Sequence, residues 1–171
     1  MEFFEVIRLR ASVRDFQPHT IIEAQWETLL RAAMTAPSAV NCQPWDFVVI
    51  QDRAMLSRLA DALPYAKMAA QASGAILVCT QASRAFQGSK DFAVIDASLA
   101  CQNILLAATA LDLGAVWTAI YPEMEREAVI HSLLGVPADV IPLALIPIGK
   151  PAGATPPKDK FKPDLIHRER W

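Results

Sequence analysis

Arg10, Ser12 and Arg14 alternate in the stretch RASVRDF. In an extended segment alternate side chains project to one side, so the three would act together. Two guanidinium groups around a hydroxyl suit a phosphate. A second polar set lies in PSAVNCQPW, where Ser38, Asn41 and Gln43 crowd the approach to Trp45 and the apolar run after it. Side-chain amides beside an indole suit a flat heteroaromatic ring. A third pair, Lys158 and Lys160, alternates in PPKDKF near the C-terminus. Together these side chains describe a mononucleotide site. Taken singly, each has a plainer reading: a solvated arginine, a helix cap at Ser12, an ordinary turn.

The elements that must position these groups follow from periodicity. Apolar residues at helical spacing predict helices over Glu2 to Leu9, Glu23 to Ala36, Arg53 to Leu63 and Asp91 to Leu113, with a shorter helical stretch in PYAKMAAQA and another helix from Pro122 to Gly135. WDFVVIQD, AILVCT, AVWTAIY and IPLALIPIG read as four strands. The second half of the longest helix is apolar on nearly every face, which places it at the centre of the core or on a dimer axis. Between strand and helix, QASRAFQGSK reads as a polar surface loop or lid, residues 81–90, that would carry Arg84, Phe86 and Lys90 over a bound ring. From Lys150 onward the chain turns rich in Pro and Lys, an extended arm over residues 150–171 that ends in Trp171 and docks on a partner subunit. No repeat or second domain interrupts residues 1–171, so the class is α+β or mixed α/β in a single domain.

Composition narrows the chemistry. The 171 residues are 53% hydrophobic with a net charge of −2, which argues against non-specific nucleic-acid binding. No apolar run reads as long enough to span a bilayer, so the apolar surplus suggests a buried interface and a homodimer. MEFFEVIRLR opens with an acid and lacks the pattern of a signal sequence. Cys42, Cys79 and Cys101 are widely spaced, as packing thiols in a reducing cytoplasm would be. No G-x-G-x-x-G, Walker loop, H-E-x-x-H or G-x-S-x-G occurs, and His131 reads as a solvated mid-helix residue. No metal site is expected.

The order R-x-S-x-R-x-F, P-S-x-x-N-x-Q-P-W, a long apolar helix ending in L-G-A-x-W, and P-x-K-x-K near the end resembles the FMN-dependent nitroreductase family over essentially the whole chain. The resemblance implies an α+β nitroreductase-like fold, a central mainly antiparallel or mixed sheet flanked by helices, in an intertwined homodimer with an extended C-terminal arm. It implies FMN held by Arg10, Ala11, Ser12 and Arg14, with Lys158 and Lys160 on the phosphate. Pro37, Ser38, Ala39, Asn41 and Gln43 would approach the ring from the other subunit, and Gly114 and Ala115 would lie beside its reactive face. NADH or NADPH would then deliver hydride to the flavin N5, which passes it to a nitroaromatic, quinone or similar small acceptor in a ping-pong cycle. A cation such as Arg14 would stabilise the negative charge of the reduced ring, and no side chain need act as nucleophile.

Departures from the family pattern fall on specificity. Ala11 replaces a second basic residue, Ala39 a second serine, and Asp112 a glycine, and the chain is short for the family. A flavin-binding or flavin-sensing protein with little turnover, and specialised chemistry such as reductive dehalogenation or enoate reduction, remain alternative readings.

Overall fold

The computed structural model describes all residues, Met1–Trp171. Five helices, α1 (Phe3–Leu9), α2 (Glu23–Met34), α3 (Arg53–Ala62), α4 (Lys90–Ala110) and α5 (Met124–Leu134), surround one sheet. Its strands are β1 (Phe16–Gln17), β2 (Trp45–Ile50), β3 (Gly74–Thr80), β4 (Gly114–Ala115), β5 (Thr118–Ala119) and β6 (Ile141–Pro151). The order is β1-β6-β3-β2, with β4 and β5 also on β6, and every ladder is antiparallel.

The sheet separates two apolar layers because side chains alternate along each strand. Ile76 and Val78 of β3 face α2 and α4, packing with Trp26, Leu29, Ala97, Cys101 and Ile104. Ala75, Leu77 and Cys79 face the other way, onto Leu56, Leu59 and Leu63 around α3 and Ile130 of α5. All seven residues of β3 are buried, as a strand covered on both faces must be. Helix starts are fixed locally: Asp52 accepts from the Met55 N–H at 2.7 Å, and Ser89 accepts from the Phe92 N–H at 3.4 Å. Gly135, in the left-handed region at φ 66°, ends α5.

Several expectations need correction. The strand expected at residues 115–121 is two short pieces in one continuous register, Gly114 opposite Gly149 and Thr118 opposite Leu145. Val116 therefore stands opposite Pro147 and donates to its carbonyl at 3.3 Å, but proline has no N–H to return, so the ladder breaks there. PYAKMAAQA forms only a 3-10 turn, Lys67–Ala70. The two-residue strand β1 carried too little pattern to be read beforehand. His131 is half-buried, its Nδ1 2.9 Å from the Val136 carbonyl, and so joins the end of α5 to the next segment instead of sitting in solvent.

Helix α4 also departs from the reading of the sequence. At 21 residues it is long and apolar enough, by length and composition, to cross a membrane, yet it is the core helix of this fold. Ala93, Ala97, Ala100, Cys101, Ile104 and Ala108 face the sheet and α2, while Phe92, Ile95 and Leu99 remain exposed on the opposite face. The helix is thus buried on one side and apolar on both. Phe3 and Phe4 of α1 add to this bare apolar surface, Phe4 at 81% exposure.

Burial also governs the thiols. Lack of solvent, with the Asp46 charge as a smaller influence, pushes Cys79 up to about 12, and burial moves Cys101 in the same direction. Thiolate is the reactive form. Iodoacetamide at pH 8 should therefore leave Cys79 and Cys101 unmodified in the folded protein and alkylate both in denaturant, as read by peptide mass spectrometry. Rapid labelling of either in the native state would contradict this packing.

Candidate functional site

The segment after α1 is laid along the sheet by its own backbone. Arg10 N–H caps α1 on the Val6 carbonyl at 2.9 Å, and Val13 N–H donates to the Ala115 carbonyl at 3.1 Å. Ser12 forms a parallel bridge with Ala115. The first residues of the arm are held alongside by Ala152 N–H donating to the Asp15 carbonyl at 3.0 Å. The arm then returns over the segment, and a cavity of about 460 Å³ opens between them. Arg10, Ala11, Ser12, Arg14, Lys158 and Lys160 line it, so these sequence-predicted residues come together. Arg8 lines it too and was missed; its signal was its place two residues before Arg10, hidden within the helical pattern of α1.

A second cavity, of about 450 Å³, shares Arg14 with the first. Tyr65, Lys67, Met68, Trp117 and Arg126 supply much of its wall, with Thr118 and Ala119 beside them. Arg126 Nη1 donates to the Ala119 carbonyl at 3.1 Å, and its guanidinium lies 5.1 Å from the centre of the Tyr65 ring. No aspartate or glutamate lines either cavity, although the whole chain has a net charge of −2. One cavity is thus walled by cations and hydroxyl groups, and the other by cations and aromatic rings.

Gly114 and Ala115 are buried within the sheet and line neither cavity. A Cβ on Gly114 would sit 2.7 Å from the Val13 Cβ, so the absence of a side chain there lets the residue 10–14 segment lie against β4. Asp112, where the family pattern has glycine, adopts φ 55°, a left-handed conformation that explains the usual glycine.

Within the single chain Pro37, Ser38, Ala39, Asn41 and Gln43 line neither of these cavities. Their loop is tightly specified nonetheless. Val40, Asn41 and Gln43 all take positive φ, at 45°, 60° and 50°, a conformation that costs a β-branched residue such as Val40 most. Asp96, only 2% exposed, accepts the Ala39 N–H at 3.2 and 3.3 Å through its two carboxylate oxygens. Ser38 Oγ accepts the Gln43 N–H at 3.0 Å. Arg84 reaches across to donate to the Gln43 and Trp45 carbonyls at 3.0 and 3.2 Å, and to Asp46 Oδ2 at 2.6 Å. Asp96 was missed, and its signal was a lone acid inside the apolar stretch of α4.

Residues 81–90, expected as a lid, line neither cavity. They form two 3-10 turns held by the Arg84 contacts, by Phe86 packing edge-on against Phe92, and by Lys90 4.6 Å from the Tyr121 ring centre. Nowhere do three His, Cys, Asp or Glu side chains gather as a metal ion would need.

The nitroreductase family model matches residues 7–64 and 62–150, and the chain belongs to the nitroreductase family. It is 43% identical, over its full length and 88% of the relative's, to a Methanothermobacter thermautotrophicus protein provisionally named an NADH dehydrogenase/NAD(P)H nitroreductase. A Bacteroides thetaiotaomicron crystal structure of the same provisional name superposes with TM-score 0.93 at 42% identity, covering 98% of this chain and 97% of that one. A Desulfovibrio desulfuricans structure provisionally described as a nitroreductase, in complex with FMN, has TM-score 0.84 and 29% identity, covering 100% of this chain and 98% of that one. The family and the nitroreductase-like α+β fold read from the four sequence blocks are both borne out.

Proposed function

We propose that this chain is an FMN-dependent oxidoreductase that takes reducing equivalents from NADH or NADPH and passes them to a small acceptor such as a nitroaromatic or a quinone. The observation that carries the reading is the pair of cavities joined at Arg14, one fitted to a phosphate and the other to a flat, electron-accepting ring. Arg8, Arg10, Ser12, Lys158 and Lys160 would hold the phosphate through charge-assisted hydrogen bonds. Arg8 offsets the cation that the family pattern has at Ala11. Arg14 and Lys67 would face the ring edge that turns anionic on reduction, and the Trp117 side chain and neighbouring backbone would flank it. When bound, FMN supplies the hydride-accepting and hydride-donating chemistry; the protein binds, orients and neutralises charge.

The functional unit on this reading is a homodimer. Exposed Phe3, Phe4, Phe92, Ile95 and Leu99 supply apolar surface for an interface. The strained loop Pro37–Gln43 would then enter the partner's ring cavity, which explains why it is so firmly held while lining neither cavity of its own chain. The arm, in which Phe161, Leu165, Ile166 and Trp171 are all exposed, would dock on the second subunit. Sedimentation equilibrium at micromolar concentration tests this directly, and a monomer there would refute it.

The decisive experiment is the visible spectrum of the purified protein, followed by FMN titration and NAD(P)H oxidation with menadione or a nitroaromatic as acceptor. A yellow protein that turns over both half-reactions is expected. A colourless protein that takes up no FMN would overturn the reading. FMN binding without turnover of either nicotinamide would leave a flavin-binding protein in its place.

A further inference from the structure

Arg126 has no task in the charge balance of a bound flavin. On that reading the phosphate would have Arg8, Arg10, Lys158 and Lys160, and the ring edge Arg14 and Lys67, which line the two cavities. Arg126 lines the ring cavity and a small space of about 10 Å³ beside it, but not the cation-walled cavity, and it projects from the first turn of α5. One of its five donors is used, on the Ala119 carbonyl. It makes no ion pair; the salt bridges of the chain are Arg31–Glu27 and Arg84–Asp46, although Glu123, Glu125 and Glu127 lie close to it in sequence. Its guanidinium lies against the Tyr65 ring, so its remaining N–H groups are an unpaired donor set beside aromatic and thioether surface from Tyr65, Trp117 and Met68.

We propose that Arg126 and Tyr65 form a recognition site for an aromatic acid, so that the preferred electron acceptor carries a carboxylate on the ring to be reduced. This rests on the flavin reading above and names the substrate class of the same site. A guanidinium fork matches a carboxylate in geometry and charge, and the adjacent aromatic wall takes the ring bearing it. The site suits the acceptor better than the nicotinamide donor. A nicotinamide ring becomes cationic on giving up hydride, which a guanidinium in the same cavity disfavours, and the phosphates of the dinucleotide are separated from that ring by a ribose.

The test compares 4-nitrobenzoate with 4-nitrobenzamide, acceptors of similar shape that differ in charge, using NADH and the FMN-loaded wild-type, Arg126→Gln and Arg126→Lys proteins. The step is the same for both: the nitro group takes the hydride that NADH loses on oxidation to NAD⁺, together with a proton. One N–O bond breaks, and the nitroso arene and water leave. Wild type should favour nitrobenzoate in kcat/KM by about tenfold or more, a typical value for a charged hydrogen bond. Arg126→Gln should abolish that preference, mainly through KM, and Arg126→Lys should restore part of it. Independently of turnover, benzoate should perturb the oxidised flavin spectrum with a dissociation constant about tenfold higher in Arg126→Gln. Equal losses on both acceptors, slower flavin reduction by NADH alone, or weaker FMN retention would each overturn the proposal. Failure of NADH and NADPH to bleach the wild-type flavin would instead count against the oxidoreductase reading, and the benzoate titration would still decide the anion site.

Discussion

Removing Arg10 and Lys160 together, as Arg10→Ala/Lys160→Ala, should weaken FMN binding by about 100-fold or more, measured by quenching of flavin fluorescence. Both side chains line the cation-walled cavity, one from the segment after α1 and one from the returning arm. A hydrogen bond to a charged group contributes about 1.5–3 kcal/mol, and each 1.4 kcal/mol is tenfold in affinity. The two substitutions act on one ligand, so their effects need not add. The pH dependence follows from the ligand itself. A phosphate monoester loses its second charge below about pH 6, so wild-type affinity should fall as pH drops through that value. The double variant, with fewer cations facing the phosphate, should show a shallower fall. Wild-type affinity in the variant would remove the phosphate from this cavity.

Gly114→Ala should damage stability and cofactor binding together, although Gly114 lines neither cavity. The added methyl would lie 2.7 Å from both Cβ and Cγ1 of Val13. Neither side yields easily: Gly114 is paired with Gly149 in β6, and Val13 N–H is bonded to the Ala115 carbonyl. Overpacking of this kind costs about 1–3 kcal/mol, which for a chain of this size lowers Tm by several degrees. Because Val13 lies between Ser12 and Arg14, displacing it moves two residues that line the cation-walled cavity. FMN affinity should therefore fall with Tm. Val13→Ala removes the contacts with Cγ1 and Cγ2 but leaves Cβ at 2.7 Å, so Gly114→Ala/Val13→Ala should recover part of both losses. A Gly114→Ala protein that melts and binds FMN like wild type would show that the residue 10–14 segment is not positioned by this contact.

The parts of the site that could be read from the sequence are those whose spacing carries meaning without a fold. Arg10, Ser12 and Arg14 alternate, as do Lys158 and Lys160, and alternation in an extended chain survives into three dimensions. Tyr65, Lys67 and Arg126 carry no such signal. They lie in a turn after α3 and in the first turn of α5, and residues 117–119 bring them together only once β5 has found its register on β6. Asp96 was hidden differently: its single acid is diluted in an apolar helix, and its partner is a backbone N–H 57 residues away. The helices were recovered within a few residues because period and caps agree. The strand expected at residues 115–121 reads as unbroken because the interruption arises from Pro147 on another strand.

Strand β6 has a consequence for how the chain comes to be folded at all. It is the partner of β1, β3, β4 and β5, and only the β2–β3 pairing is independent of it. During synthesis the first 140 residues therefore emerge without the strand that joins them, and β1, made near the beginning, waits for Lys150 and Pro151. Until then the apolar layer around α2 and α4 lacks the part that Leu143, Ala144, Ile146 and Ile148 supply, and incompletely covered apolar surface is the condition under which nascent chains aggregate or recruit chaperones. The sheet is completed by its last strand, and the arm that follows it emerges only when there is a folded body to lie upon.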